Sequence, residues 1–292
     1  MKGVADKRIL GQQSCTLAKQ GHYRASARPT AARPCKILAE RSGDLLSITS
    51  PDEMAGMQVA GAVVHRMLEA MKQEIRPGVT TAELDDVGAR VMRHHGARSA
   101  PALVYKFPGV SCISVNEEAV HGIPSPRKLR QGDLVKLDVT IEKDGFMADA
   151  AVTLPVGPVS QEKQRLIACA EQAFRCATRV ARAGNRVSEI GRVIESEVQR
   201  CGFSVIRELG GHGIGRTIHE PPSVPNYSDP TARQILSEGL VITIEPIIAA
   251  GAGEAVLASD GWTIRTADRR ASAHYEHTLV ITKDEPILLT AA

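Results

Sequence analysis

The chain is poor in aromatic side chains: four Phe, four Tyr and one Trp make up 3% of its 292 residues. A surface that stacks nucleic-acid bases needs more such rings, so that class is not expected. Paired-cysteine motifs are missing too. Cys15, Cys35, Cys112, Cys169, Cys176 and Cys201 form no C-x-x-C, and no Cys/His spacing matches a structural zinc site. Reduced thiols in a cytoplasmic protein are the expectation. No apolar run approaches the length of a membrane span, and no secretory apolar segment follows the start. Acidic residues are scarce at one end. Between Met1 and Arg41, nine Lys and Arg face only Asp6 and Glu40, and much of the net charge of +3 arises there.

Residues 1–45 are rich in Arg, Ala, Ser and Gln and have little to bury. A disordered basic extension is expected, ahead of a folded domain over 46–292. Its charge suits contact with RNA or the ribosome, and a passive tail is the competing reading. An organelle transit peptide ranks lower, because the stretch lacks an apolar stripe. The remaining chain is near neutral. Its size and the 43% hydrophobic content give core enough for one large domain.

One stretch organises that domain. From Gly132 to Asp149, Val135, Leu137, Val139 and Ile141 alternate with Lys136, Asp138, Thr140 and Glu142. This is the period of a half-buried strand with a polar face. Asp144-Gly145 then supplies a hairpin turn. A two-residue turn places Asp149 opposite Thr140, and a four-residue loop places it opposite Asp138. Either register brings two carboxylates onto one face, where they repel unless a positive charge joins them.

The rest of the chain repeats one grammar. Ser50-Pro51-Asp52-Glu53 reads as a capping box opening a helix that Arg76-Pro77-Gly78 ends. Thr81 is expected to cap the next helix, which runs to Gly96. Arg76 to Leu84 parallels Arg182 to Ile190, Gly96 parallels Gly202, and Gly132 to Asp138 parallels Gly239 to Glu245. The chain therefore reads as two related halves. A site between them receives one carboxylate from each, Asp138 and Glu245.

Gly210-Gly211-His212-Gly213-Ile214-Gly215 exposes an imidazole among glycines, and His219-Glu220-Pro221-Pro222 follows. Its glycine spacing is not that of a phosphate loop. Ala273 to Ile281 reads as a strand carrying Glu276. His121 sits in a Gly/Pro turn. Asp138, Asp149, Glu245, Glu276 and His212 offer four carboxylates and one imidazole, a set that suits two hard or borderline divalent cations better than one. Such pairs activate a shared water. His121 and His219 are left to polarise a carbonyl and to place a leaving group.

In combination these motifs are specific. Ser114-Val115-Asn116-Glu117 leads to His121-Gly122-Ile123-Pro124. Leu137-Asp138-Val139 is followed eleven residues on by Asp149. Gly211-His212-Gly213-Ile214-Gly215, Thr243-Ile244-Glu245-Pro246 and Tyr275-Glu276-His277-Thr278 complete the series. Over roughly residues 46–290 the chain resembles the bacterial type I methionine aminopeptidases. That resemblance implies the α+β pita-bread fold shared with prolidase and aminopeptidase P, with pseudo-two-fold halves and a curved antiparallel sheet flanked by helices. It implies a monomeric cytoplasmic metallo-exopeptidase that removes the N-terminal methionine of nascent polypeptides. It implies two divalent cations, cobalt, manganese, iron or zinc. Asp138 holds one, Asp149 and Glu276 bridge both, and His212 and Glu245 complete the other. Glu245 also moves the proton of the attacking water, His219 stabilises the scissile carbonyl, and His121 contacts the scissile nitrogen. Cys112, Phe107 and Trp262 match positions lining the methionine pocket. Val104, Tyr105, Ala150, Ala151, Ile218 and Pro221 depart from the family's common pattern. Two competing readings are a proline-directed peptidase of the same fold and a binding protein that has lost catalysis.

Overall fold

The computed structural model describes residues 48–291, so the readings made of residues 1–45 lie outside it. In chain order the first half contains α1 (Pro51–Gln73), α2 (Thr81–His94), β1 (Arg98–Ser99), α3 (Ala100–Tyr105), β2 (Cys112–Val115), β3 (Glu118–Val120), β4 (Leu134–Lys143) and β5 (Phe146–Pro155). The second contains α4 (Gln161–Thr178), α5 (Val187–Arg200), β6 (Ser204–Val205), β7 (Gly210–Gly213), β8 (Glu220–Pro225), β9 (Val241–Ile244) and β10 (Ile247–Ala249). Five short strands close the chain: β11 (Ala255–Leu257), β12 (Ile264–Thr266), β13 (Ser272–His274), β14 (Glu276–Val280) and β15 (Ile287–Leu288).

α1 begins as its sequence dictates. Ser50 accepts from Glu53 N at 3.2 Å, and Pro51 fills the first helical position. The reciprocal half of the expected box differs. The Glu53 carboxylate accepts from Thr49 N and the Thr49 hydroxyl instead. The helix stops at Gln73, three residues short of Arg76. Its Met57, Val64, Met67, Leu68 and Met71 are buried at helical spacing. α2 is capped by Thr80 and not by Thr81. Thr80 and Glu83 form the box, whereas the Thr81 hydroxyl is engaged with Ser125, donating to its carbonyl and accepting from its N–H.

The internal repeat is visible in the backbone. Gly78 and Gly184 both have φ of 94°, and Gly132 and Gly239 have 90° and 85°. Left-handed φ favours glycine because a Cβ clashes there. Gly78 N donates to Leu129 O at 2.8 Å, and Gly184 N to Leu236 O at 2.9 Å. Each half has its own apolar core. Met67, Leu84, Val139 and Ala150 belong to one, and Leu166, Phe174, Ile190 and Ile244 to the other.

The main sheet has nine strands with the path β1-β4-β5-β14-β9-β7-β8, and β2 and β15 pair at β4 and β14. The Asp144-Gly145 hairpin takes the two-residue form: Lys143 pairs with Phe146 and Thr140 with Asp149. Both turn residues have positive φ, 51° and 87°, as a type I′ turn requires. The half-buried reading of β4 needs correction. Lys136, Thr140 and Glu142 are buried along with the apolar residues, because β2 pairs with β4 and the polar row faces the interior. Lys136 donates to Asn116 O, Ser272 O and Ser272 Oγ, which satisfies the ammonium.

The expected single strand over 273–281 is two strands in two sheets. β14 pairs with β9 in the main sheet, while β13 pairs with β10 in a three-stranded sheet with β6. The chain thus leaves the main sheet at Glu245-Pro246 and at Tyr275, side by side. Pro246 has no N–H for a ladder, which favours the break there.

Candidate metal centre

Five neighbouring strands of the main sheet each bring one candidate side chain. Asp138 lies on β4, Asp149 on β5, Glu276 on β14 and His212 on β7, and Glu245 immediately follows β9. Cross-strand register explains the convergence. Asp138 and Glu276 both lie opposite Ala151, and Asp149 sits two residues before Ala151 on the same face. The small Ala151 side chain leaves room for three carboxylates around it. Ala150 points the other way, into the core of the first half.

The donor atoms are close. Those of Asp149, His212 and Glu276 lie within 4.8 Å of one another, as do those of Glu245, His274 and Glu276. His212 Nε2 is 3.6 Å from Glu245 Oε1. The second ring nitrogen, Nδ1, is 2.9 Å from Gly213 O. A carbonyl only accepts, so Nδ1 carries a proton, and Nε2 is the nitrogen turned toward the carboxylates. Thr243 is a second fixing point, accepting from His212 N at 3.1 Å and donating to Glu245 Oε1 at 3.3 Å.

Packing so many acids together moves their proton affinities. Burial, and Glu245 nearby, push Asp138 up to about 6. Burial and Glu245 push Glu276 up to about 8, and burial with Glu276 and Asp138 raises Asp149 well above the usual carboxylate range. Glu245 goes the other way. Burial opposes its charge, but His274 and His212 hold it below the ordinary value. Asp149 Oδ1 and Glu276 Oε1 are buried with no hydrogen-bond partner. Buried, repelling, unpartnered oxygens are what a divalent cation satisfies, so this donor set fits such ions.

Two imidazoles border the cage. Burial lowers His219 to about 3 and His121 to about 4, so both are neutral. His219 packs against His212, with ring centroids 4.2 Å apart. Its Nδ1 is 2.5 Å from the Tyr105 hydroxyl. Among the departures from the family pattern, Tyr105 thus touches a candidate catalytic group, Ile218 is buried in the core, and Val104 is exposed. His121 has φ of 57° at the end of β3. Cys112 pairs with Asp138 across β2 and β4, and burial and then Asp138 push its thiol well up. Phe107 and Trp262 meet edge to face at 5.3 Å.

Sequence reasoning missed His274. Its side chain is buried between two of the carboxylates, with Nε2 3.4 Å from both Glu245 Oε2 and Glu276 Oε2. Burial opposes its charge, yet these two acids raise it to about 10. The signal available was its i, i+2 spacing from Glu276, which in an extended chain shares a face.

A cage of acids and imidazoles built across an α+β sheet defines a metal-dependent enzyme class, and comparison narrows it. The chain belongs to metallopeptidase family M24, whose profile matches residues 55–283. Methionine aminopeptidase 2 of Bacillus subtilis is 45% identical over 245 residues, 83% of this chain and 98% of that protein. The methionine aminopeptidase of Clostridium perfringens is 39% identical over 246 residues. The crystal structure of methionine aminopeptidase from Rickettsia prowazekii superposes with a TM-score of 0.81 at 36% identity, covering 84% of this chain and all of that one. The fold is the pita-bread fold. Prolidase from Pyrococcus furiosus, 22% identical with a TM-score of 0.69, shares the fold alone. Among the described residues no helix is long and apolar enough to cross a membrane.

Proposed function

We propose that this chain removes the N-terminal methionine of nascent polypeptides by hydrolysis at a centre of two divalent cations. The observation that carries the reading is the one-per-strand convergence of Asp138, Asp149, Glu276, Glu245 and His212, in a chain 45% identical to a methionine aminopeptidase. Asp138, Asp149, His212, Glu245 and Glu276 would hold the cations, with Asp149 and Glu276 as the residues that would serve both. Once bound, the cations would polarise the scissile carbonyl and supply a nucleophilic water near neutral pH.

The chain's own groups do the rest. Glu245 is kept ionised by His212 and His274, so it accepts the proton of the attacking water and passes it to the leaving amine. With the Tyr105 hydroxyl donating to Nδ1, His219 presents Nε2–H to the oxygen that gains charge. His121 contacts the scissile nitrogen. Phe107, Trp262 and Cys112 receive the methionine side chain. The substrate's free α-amine would be held at the cation centre, which would restrict cutting to the first bond. The setting is the cytoplasm, the enzyme a monomer, and the stretch 1–45 contacts the ribosome. Ribosome co-sedimentation that survives deletion of residues 1–45 would remove that contact.

The test is release of free methionine from Met-Ala-Ser by the metal-stripped chain, with cobalt, manganese, iron or zinc restored, beside Ala-Pro-Ala. Cation-dependent release from the first peptide alone supports the reading. Cleavage of the second peptide instead would move the chain to proline-directed hydrolysis.

A further inference from the structure

His274 sits in the wall of the cage, and so far it has entered only as a charge beside Glu245. Its backbone is fixed. His274 N donates to Thr153 Oγ1 at 2.8 Å, Thr153 Oγ1 donates to His274 O at 2.8 Å, and Ile247 pairs with His274 across β10 and β13. The side chain is therefore delivered from a different sheet from the one that carries Glu276. Nε2 is equidistant, at 3.4 Å, from an oxygen of each glutamate, and neither ring nitrogen makes a hydrogen bond within the described residues. A side chain this buried does not lie between two acids without electrostatic consequence.

We propose that His274 is a positioning residue whose Nε2–H spans Glu245 and Glu276, fixing which oxygen lone pairs of those two carboxylates face the cations. The proton at Nε2 follows from the geometry. Two carboxylate oxygens attract a proton at Nε2, while Nδ1 has no acceptor to draw it away. A protonated Nε2 has no lone pair to give a metal, so this nitrogen donates to the acids and does not ligate. Outer hydrogen bonds to metal-binding carboxylates hold their orientation and contribute about ten- to a hundredfold to metal affinity. Glu276 links the two donor clusters and Glu245 completes one, so a single N–H at this point sets the spacing of the cage. This inference rests on the reading of Glu245 and Glu276 as metal-holding residues, but not on the identity of the peptide substrate.

The experiment is calorimetric titration of cobalt(II) into the metal-stripped full chain, with the visible absorption of bound cobalt recorded, for wild type, His274→Leu and His274→Gln. The leucine variant is expected to keep the cobalt stoichiometry while losing about tenfold or more in affinity. Glutamine restores an N–H donor, so its affinity is expected to return to within about threefold of wild type, with unchanged cobalt bands. Should the leucine variant not fold, His274→Asn takes its place, since its amide is too short to span both acids. Loss of one cobalt per chain, or shifted bands in the glutamine variant, would make His274 a ligand and overturn the proposal. So would a leucine variant that binds like wild type, or glutamine that rescues nothing. Methionine release enters none of these readouts. A chain that fails on Met-Ala-Ser but binds cobalt in this pattern would sink the proposed substrate and leave the positioning role standing.

Discussion

The two halves of the molecule share a scaffold and differ where they meet. α2 and α5 match in length, and the glycines at 78 and 184 and at 132 and 239 match in φ. Yet Asp138 is embedded in a ten-residue strand, whereas the equivalent Glu245 stands at a break, just after the four-residue β9. Electrostatics divide in the same way. Asp138 resists ionisation and Glu245 favours it, because the second half supplies the imidazoles of His212 and His274. Symmetry delivers two acids to one place, and its breaking gives them the different roles proposed above: Asp138 as a holding group, Glu245 as one that also exchanges a proton.

The largest effect expected from that difference is on turnover. Glu245→Gln removes the proposed base and is expected to lower kcat by about 10²–10⁴-fold in methionine-release assays. Asp138→Asn should act first through cation binding, so added metal recovers more of its activity than it does for Glu245→Gln. Equal rescue of the two would dissolve the distinction.

The next effect concerns pH. Protons and cations compete for the same oxygens. Glu276 stands at about 8 and Asp138 at about 6, so acidification fills them with protons that a cation must displace. Cation affinity is therefore expected to fall as pH falls from 8 to 5, by about tenfold per unit for each proton displaced. Asp138→Asn should flatten the part near pH 6, and calorimetry across that range checks both statements.

Smaller effects sharpen the comparison within the scaffold. Asp85 on α2 accepts from Val110 N, Ser111 N and the Ser111 hydroxyl, tying a loop to the helix. The equivalent position on α5 is Gly191, where a Cβ would meet Tyr227 O at 2.2 Å and Pro225 O at 2.5 Å. One half joins helix and loop by charge and the other by bare contact. Gly191→Ala is expected to cost about 2–3 kcal/mol by overpacking, and Asp85→Ala about 1–3 kcal/mol by leaving donors unpaired. Denaturant melts of the metal-free chain measure both. The smallest pair lies at the helix starts. Thr80 caps α2 with a full box, while Arg186 gives α5 no side-chain cap. Thr80→Ala should lose about 1 kcal/mol, and Arg186→Thr, with Glu189 already three residues on, should gain somewhat less.

Much of this was legible in the residues. Gly and Pro punctuation, capping residues and the Asp144-Gly145 turn are local signals, and they placed the helices, the hairpin and the repeat, while the hairpin register stayed open between two alternatives until the strand pairing fixed it. What escaped depends on contacts distant in sequence. A polar alternation looks the same whether it faces water or a buried site, so the burial of Lys136 and Glu142 was not apparent. The cap expected at Thr81 lies at Thr80, because the Thr81 hydroxyl is engaged by Ser125, a contact that spans 44 residues. The division of 273–281 between two sheets left His274 unseen, since its partners Glu245 and Thr153 are set by pairing and not by spacing.

The most direct measurement of the central claim is the number of manganese ions bound per chain by equilibrium dialysis, for wild type, Asp138→Asn and Glu245→Gln. A centre shared between the halves predicts two ions in wild type and weakened or lost occupancy when either half's carboxylate is removed. A single ion that survives both substitutions would contradict it.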